Sequence, residues 1–198
     1  MKAYYEARAP EYDDWYEGTG RFARRERPAW RELLGELAST LAALPPARTL
    51  DVGCGTAYAT RWLPGDITGI DQSAAMLAIA SRRMPRARFV RGDALRLPFE
   101  PDAFERVTAM SFYGHLEGGD RERFLAEARR VARELVVVDA ALREDLEPER
   151  YEERELNDGS RWTVFKRYFT PEQLLEELGG GRVLYAGRWF VAVASPRG

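Results

Sequence analysis

The chain of 198 residues is poor in several residue types on which whole classes of protein depend. Its single cysteine, Cys54, excludes an internal disulfide and any multi-cysteine metal site, and we predict no metal centre. No apolar run reaches the roughly 18 residues that cross a membrane. The first residues also lack the apolar core of a secretory signal, so we expect a cytoplasmic protein without a membrane span.

The charged residues give a second exclusion. They make up 31% of the chain and sum to a net charge of −2, which gives no reason to expect nucleic acid as a partner. The hydrophobic fraction of 45% is typical of a globular protein. At this length a single domain over residues 1–198 can bury a sizeable core.

The hydrophobic pattern alternates between strands and helices. Short apolar runs predict five strands, at 48–52, 67–70, 87–91, 104–110 and 135–139. Helical segments are predicted between them, including a short helix over 57–63 and one that Ser73 caps. Because each strand is followed by a helix, the strands should form a parallel sheet with right-handed crossovers.

The two ends of the chain depart from this alternation. Residues 1–44 are predicted to form two helices, which Pro45 and Pro46 end. Residues 141–169 contain the sequence Asn-Asp-Gly-Ser, a hairpin signal, and we predict an inserted hairpin or arm there. Thr170 should cap a last helix, which an antiparallel pair of strands follows.

The segment with most information is a pair of glycines at the end of the first strand. Gly53 and Gly55 follow Asp51, and a second acid, Asp71, ends the next strand 16 residues after Gly55. Glycines let the backbone approach a ligand, and an acid one strand over can accept from both hydroxyls of a ribose. The spacing is near the roughly 20 residues of a nucleoside-binding unit.

Asp51 indicates which kind of nucleoside this turn binds. A carboxylate there would repel a pyrophosphate, since like charges at contact cost roughly 1 kcal/mol even in water. The same carboxylate would attract an ammonium or a sulfonium. The sequence therefore favours a cationic nucleoside over a dinucleotide such as NAD.

These residues resemble the class I S-adenosylmethionine-dependent methyltransferases. Leu50–Thr56 resembles the first motif of that family, and Gly69–Ser73 with Met76 resembles its ribose-binding motif. Arg91–Phe99 resembles the segment that contacts the adenine, and Phe104–Leu116 resembles the fourth strand with its loop. Tyr5–Asp13 is similar to the opening of the small-molecule branch that includes quinone-biosynthesis enzymes. One departure is Ala57, where a third glycine is common.

The resemblance implies an enzyme with a Rossmann-like, doubly wound, mostly parallel sheet of seven strands in the order 3-2-1-4-5-7-6. Strand 7 would be antiparallel, with helices on both faces. Residues 1–44 would form a helical lid, 45–140 the cofactor-binding core, 141–169 the arm, and 170–198 the last helix and strand pair. The expected reaction is in-line methyl transfer from S-adenosylmethionine to a small, partly apolar acceptor, which leaves S-adenosylhomocysteine.

The cofactor contacts that follow from these motifs are Tyr5, Tyr12, Asp51, Gly53, Gly55, Asp71, Gln72, Met76, Asp93, Ala94, Leu95 and Met110. Asp93 is expected to accept from the adenine amino group, with Ala94 and Leu95 beside the ring. Two of these acids also have a purely structural interpretation: Asp71 could be a helix cap and Asp93 a surface turn residue. Cys54 is interpreted as a packing residue, because no histidine or cation adjoins it in sequence.

His115 is the only histidine, and it stays open between two interpretations. It could be a structural hydrogen-bond partner, or the group that accepts a proton or contacts the acceptor near the transferable methyl. Two rival functions also stay open: a non-catalytic S-adenosylmethionine-binding module, and a dinucleotide-dependent oxidoreductase, which Asp51 opposes. A methyltransferase for RNA or protein is disfavoured, because the chain has no added binding domain.

Overall fold

The computed structural model describes residues 1–196, and nine strands and six α-helices are found there. The strands are β1 Ala47–Val52, β2 Gly65–Asp71, β3 Arg88–Arg91, β4 Arg106–Met110, β5 Glu134–Ala140, β6 Glu149–Glu155, β7 Arg161–Arg167, β8 Arg182–Ala186 and β9 Phe190–Pro196. The helices are α1 Lys2–Arg8, α2 Asp14–Glu17, α3 Trp30–Ala42, α4 Ala74–Arg83, α5 Gly119–Val131 and α6 Pro171–Glu177. Among these residues no helix has both the length and the apolar character needed to cross a membrane.

Seven of the strands form one sheet in the order β3-β2-β1-β4-β5-β9-β8. The first five strands pair in parallel, and β9 pairs antiparallel with both β5 and β8. Since β8 and β9 are the sixth and seventh strands of this sheet, the predicted fold class and strand order are confirmed.

The sheet lies between two apolar layers, and the alternation of side chains along β5 shows how both are filled. Val137 packs into the layer that contains Phe124 of α5 and Leu174 of α6. Its neighbours Val136 and Val138 face the opposite layer, which α3 covers with its leucines. Successive residues of a strand point to opposite faces, so a continuously apolar strand is explained by burial on both sides.

Two helix predictions, for residues 1–44 and for residues 57–63, differ from the structure. Residues 1–44 form three α-helices and two single 3-10 turns instead of two helices. Gly18 takes left-handed backbone angles that end α2, and Gly20, also left-handed, begins the second 3-10 turn. The helix expected over 57–63 is only a 3-10 turn, Thr60–Trp62. Ala57 has a φ of 58°, which is incompatible with a right-handed first turn, and Pro64 follows directly.

The predicted hairpin is present as the separate pair β6–β7. Asp139 at the end of β5 is fully buried and forms an ion pair with Lys166 of β7. The same carboxylate accepts from the backbone N–H of Gly114 at 2.8 Å. One buried acid thus holds the hairpin and the segment after β4 at the carboxyl edge of the sheet.

The N-terminal segment lies across this same edge and contacts both of its sides. On one side Glu6 accepts from the N–H of Ala75 at the start of α4, at 3.2 Å, and Asp13 pairs with Arg83 at its end. On the hairpin side Glu11 accepts from the N–H of Asn157 at 2.7 Å. The segment therefore bridges the sheet and the hairpin.

Candidate functional site

The glycine turn after β1 has a backbone that glycine makes possible. Gly53 and Gly55 have φ angles of 69° and 53°, in the left-handed region. A Cβ atom on Gly53 would lie 2.5 Å from the ring of Phe112. The N–H of Gly53 donates to the carbonyl of Ile70 at 2.8 Å. The turn is therefore held close against the end of β2.

Asp71, the last residue of β2, holds this turn to α4. One of its carboxylate oxygens accepts from the N–H of Gly55 at 2.9 Å, and the other accepts from the N–H of Ser73 at 2.8 Å. Burial raises the pKa of Asp71, and these backbone hydrogen bonds oppose the rise. Each oxygen keeps a second lone pair that can accept from a ligand hydroxyl.

Asp51 lies beneath the turn rather than at its mouth. It is 1% exposed, and its two oxygens accept from the hydroxyls of Thr60 at 2.6 Å and Thr108 at 2.7 Å. Burial is the main cause that raises the pKa of Asp51 to about 7, and the charge of Asp71 adds to it. Both acids are thus poorly solvated, and a cation at the turn would stabilise their ionised forms.

The other predicted cofactor residues lie around this turn in different degrees of exposure. The exposed pair Gln72 and Asp93 is joined by a side-chain hydrogen bond of 3.4 Å, and Asp93 also accepts from the N–H of Leu95 at 2.9 Å. Leu95 is half-buried against the core. The remaining members of the set are buried: Met76, Ala94 and Met110.

A cavity of about 940 Å³ lies beside the turn, between the N-terminal segment and the hairpin. We call it the chamber. Its wall includes Tyr5 and Tyr12, as well as Ser111 and His115 from the segment after β4. The ring of Tyr12 would lie 3.6 Å from a Cβ atom on Gly55, so the chamber wall at Tyr12 adjoins the glycine turn.

His115 is held in one tautomer by the hairpin. Its Nδ1 is 2.7 Å from the carbonyl oxygen of Phe165, which can only accept, so Nδ1 carries the proton and Nε2 carries the lone pair. Burial, together with the nearby cations Lys166, Arg154 and Arg8, holds the pKa of His115 well below its usual range. The imidazole is therefore neutral near pH 7 and can accept a proton at Nε2.

Sequence reasoning missed three cations near His115: Arg8, Arg154 and Lys166. Each lies in a segment with many charges, where the sequence does not indicate which side chain faces inward. Cys54 is buried, and burial raises the pKa of its thiol well above the usual range, which supports a packing role. Of the hairpin aromatics, Tyr168 lies at the chamber, while Phe169 is buried in a core layer.

Comparison with known proteins finds similarity in the region that contains the glycine turn. A model described as a methyltransferase domain matches residues 49–134. The demethylmenaquinone methyltransferase of Thermotoga maritima is 36% identical over 107 residues, which are 52% of this chain and 44% of that protein. The phthiotriol/phenolphthiotriol dimycocerosates methyltransferase 1 of Mycobacterium ulcerans is 40% identical over 105 residues, 48% of this chain and 37% of that protein. The matched region thus spans less than half the length of either relative.

A solved structure is similar over nearly the whole chain. The complex of DhpI with SAM and HEP superposes with a TM-score of 0.73 and is 26% identical in sequence. The superposition covers 98% of this chain and 95% of DhpI. The likeness therefore includes the N-terminal segment and the hairpin, which lie outside the matched domain model.

Replacing Asp51 by Asn tests the buried carboxyl, because it keeps the side-chain shape and removes the titration. The wild-type pKa rises from 3.8 in the unfolded chain to about 7 on folding, so between these values the folded state binds a proton that the unfolded state has lost. Between about pH 5 and pH 8, the free energy of unfolding of the wild type should therefore fall by roughly 2–3 kcal/mol relative to the Asn variant. Urea denaturation near pH 5 and near pH 8 measures this, and a difference that does not change with pH would contradict it.

Proposed function

We propose that this chain is a class I S-adenosylmethionine-dependent methyltransferase and that it transfers a methyl group to a small molecule bound in the chamber. Its cofactor is S-adenosylmethionine and the product of transfer is S-adenosylhomocysteine. The observation that carries the proposal is the glycine turn with two poorly solvated acids, Asp51 and Asp71, near a chamber of about 940 Å³.

The donor set at the turn fits the proposed cofactor. Asp71 would accept from the ribose hydroxyls, and the two glycines would let the backbone approach the ligand. Asp51, beneath the turn, would favour a positive charge above it. Gln72, Asp93, Ala94 and Leu95 would surround the adenine, while Tyr5 and Tyr12 would cover the cofactor from the N-terminal segment.

The sulfonium supplies an activated methyl group, so the chain has to align the acceptor and exclude water. Holding the acceptor atom about 3 Å from the methyl carbon can remove roughly 7–11 kcal/mol from the barrier. The N-terminal segment, acting as a lid through its contacts with α4 and the hairpin, would enforce this alignment. Where the acceptor is a hydroxyl or an acidic carbon, neutral His115 would take the proton at Nε2.

The walls of the chamber favour a small acceptor over a polymer. Two hydrogen bonds join the N-terminal segment to the hairpin at the chamber. The N–H of Asn157 donates to Glu11, and the guanidinium of Arg21 donates to the carbonyl of Leu156 at 2.8 Å. A volume of about 940 Å³ suits a small molecule. A binding module that only senses S-adenosylmethionine would need no such chamber, and the buried acids oppose the pyrophosphate of a dinucleotide.

To follow transfer, the purified protein is incubated with a cell extract and with S-adenosylmethionine that carries a tritiated methyl group. We expect label in the fraction of small metabolites. Asp71→Ala should abolish the transfer and weaken S-adenosylhomocysteine binding by about 1–3 kcal/mol, since ligand hydroxyls lose their acceptor. Asp66→Ala, at the exposed start of the same strand, is the matched control and should leave both unchanged. Label found only in RNA or protein would contradict the proposal, and so would cofactor binding without any transfer.

His115→Gln should lower kcat by about 10²–10⁴-fold while the affinity for S-adenosylhomocysteine stays within a factor of two, because the proton acceptor is lost and the turn is intact. At saturating S-adenosylmethionine, whose positive charge would keep Asp51 ionised, the wild-type kcat should also stay level as pH falls from about 8 to 6, since the pKa of His115 lies well below its usual range. Full activity of the Gln variant would assign His115 a structural role.

A further inference from the structure

A group of cations, which we call the arginine cluster, lies at the wall of the chamber. Arg8 of α1 and Arg154 of β6 both donate to the phenol oxygen of Tyr4, Arg154 from 3.4 Å. Arg150 of β6 lies beside them at the same wall. Two guanidinium groups that share one phenol oxygen are close enough to repel each other.

The negative charge in the cluster is too small to balance it. Among residues 1–196, Arg154 and Arg150 share a single carboxylate, that of Glu152, each at 2.9 Å. Arg8 is 7% exposed, and in the described part of the chain its one hydrogen bond goes to Tyr4 and no carboxylate lies within ion-pair distance. Three cations therefore face one anion, and the buried Arg8 keeps several donors for the chamber.

The unbalanced charge favours an anion at this wall. A buried guanidinium is costly unless an acceptor or a counter-charge faces it. Guanidinium groups form paired hydrogen bonds with carboxylate and phosphate-like groups, which strengthen as water is excluded. The unpaired side of Arg8, together with Arg154, can supply such bonds to a compact anion in the chamber.

The position of the cluster separates it from the glycine turn. It is built by α1 and by the hairpin, and both lie outside the residues that match the methyltransferase domain model. His115 lies near the cluster, since its ring is 6.1 Å from that of Tyr5 and the charges of Lys166, Arg154 and Arg8 lower its pKa. An anion bound by the cluster would thus lie near His115.

We infer that the acceptor carries a compact anionic group, a carboxylate or a phosphate-like oxyanion, which Arg8 and Arg154 bind. The inference rests on the proposed function, because it names the class of molecule methylated in the chamber. It also gives the acceptor a second role. An anion on the cluster offsets the cations around His115 and so makes the imidazole a stronger base when the acceptor is bound.

The test uses sulfate, whose charge does not change near neutral pH, and the NMR signal of the only histidine in tag-free protein. With the protein saturated with S-adenosylhomocysteine and the ionic strength held constant, sulfate should shift the His115 signal saturably and raise its pKa. Arg154→Gln should weaken this effect about tenfold or more, and Arg154→Lys should restore part of it. Arg161→Gln is the matched control, since Arg161 is an exposed arginine of the same hairpin with 75% of its side chain accessible.

A second titration tests whether the arginine cluster binds the acceptor or the carboxylate of the cofactor itself. The sulfate titration is repeated with methylthioadenosine, which lacks that carboxylate, in place of S-adenosylhomocysteine. We expect equal sulfate affinity in both complexes. Sulfate that binds only in the methylthioadenosine complex would assign the cluster to the cofactor and overturn the inference. A His115 signal that does not respond to sulfate in the wild type, or that responds equally in Arg154→Gln, would overturn it as well.

Failure of the inference is distinguishable from failure of the proposed function. If S-adenosylhomocysteine binds and sulfate has no specific effect, the anionic acceptor alone is wrong. If S-adenosylhomocysteine does not bind, the proposed function fails, and the inference, which rests on it, fails with it.

Discussion

The carboxylate of Asp71 is the interaction on which the arrangement of this site depends. By accepting from Gly55 on one side and Ser73 on the other, it fixes the glycine turn against the first turn of α4. Those two elements belong to neighbouring crossover units of a parallel sheet, and nothing in the strand pairing alone would set their distance. A single side chain at the end of β2 thus converts a sheet edge into a pocket with a defined shape.

The acid chemistry of this pocket follows from its burial. Burial raises the pKa of both Asp51 and Asp71, the charge of Asp71 adds to the rise at Asp51, and threonine hydroxyls and backbone N–H groups only partly replace water. Such a pair disfavours anions and gains from a cation, which suits a sulfonium nucleoside. Across His115 the sign reverses, since Arg8 and Arg154 exceed their counter-charge. The acids of the glycine turn thus carry negative charge, while the arginine cluster places positive charge at the chamber wall near His115.

More of the fold than of the candidate site can be predicted from the sequence. Apolar strands with helices between them are sufficient for the parallel core, and Ser73 and Thr170 cap the helices expected of them. The resemblance adds the strand order. The helix at 57–63 fails because the backbone at Ala57 is set by the turn that must pass Phe112 and Asp71, a tertiary requirement that local propensity does not contain.

The arginine cluster could not be predicted from the sequence for a similar reason. Arg154 stands among alternating charges of β6, and only the packing of α1 against the hairpin, through Tyr4 and Trp162, brings it to Arg8. A crystal structure with S-adenosylhomocysteine is the most direct test of this arrangement. We expect the ribose hydroxyls on Asp71 and the sulfur facing the chamber at His115. An empty glycine turn, or a phosphate bound there instead, would contradict it.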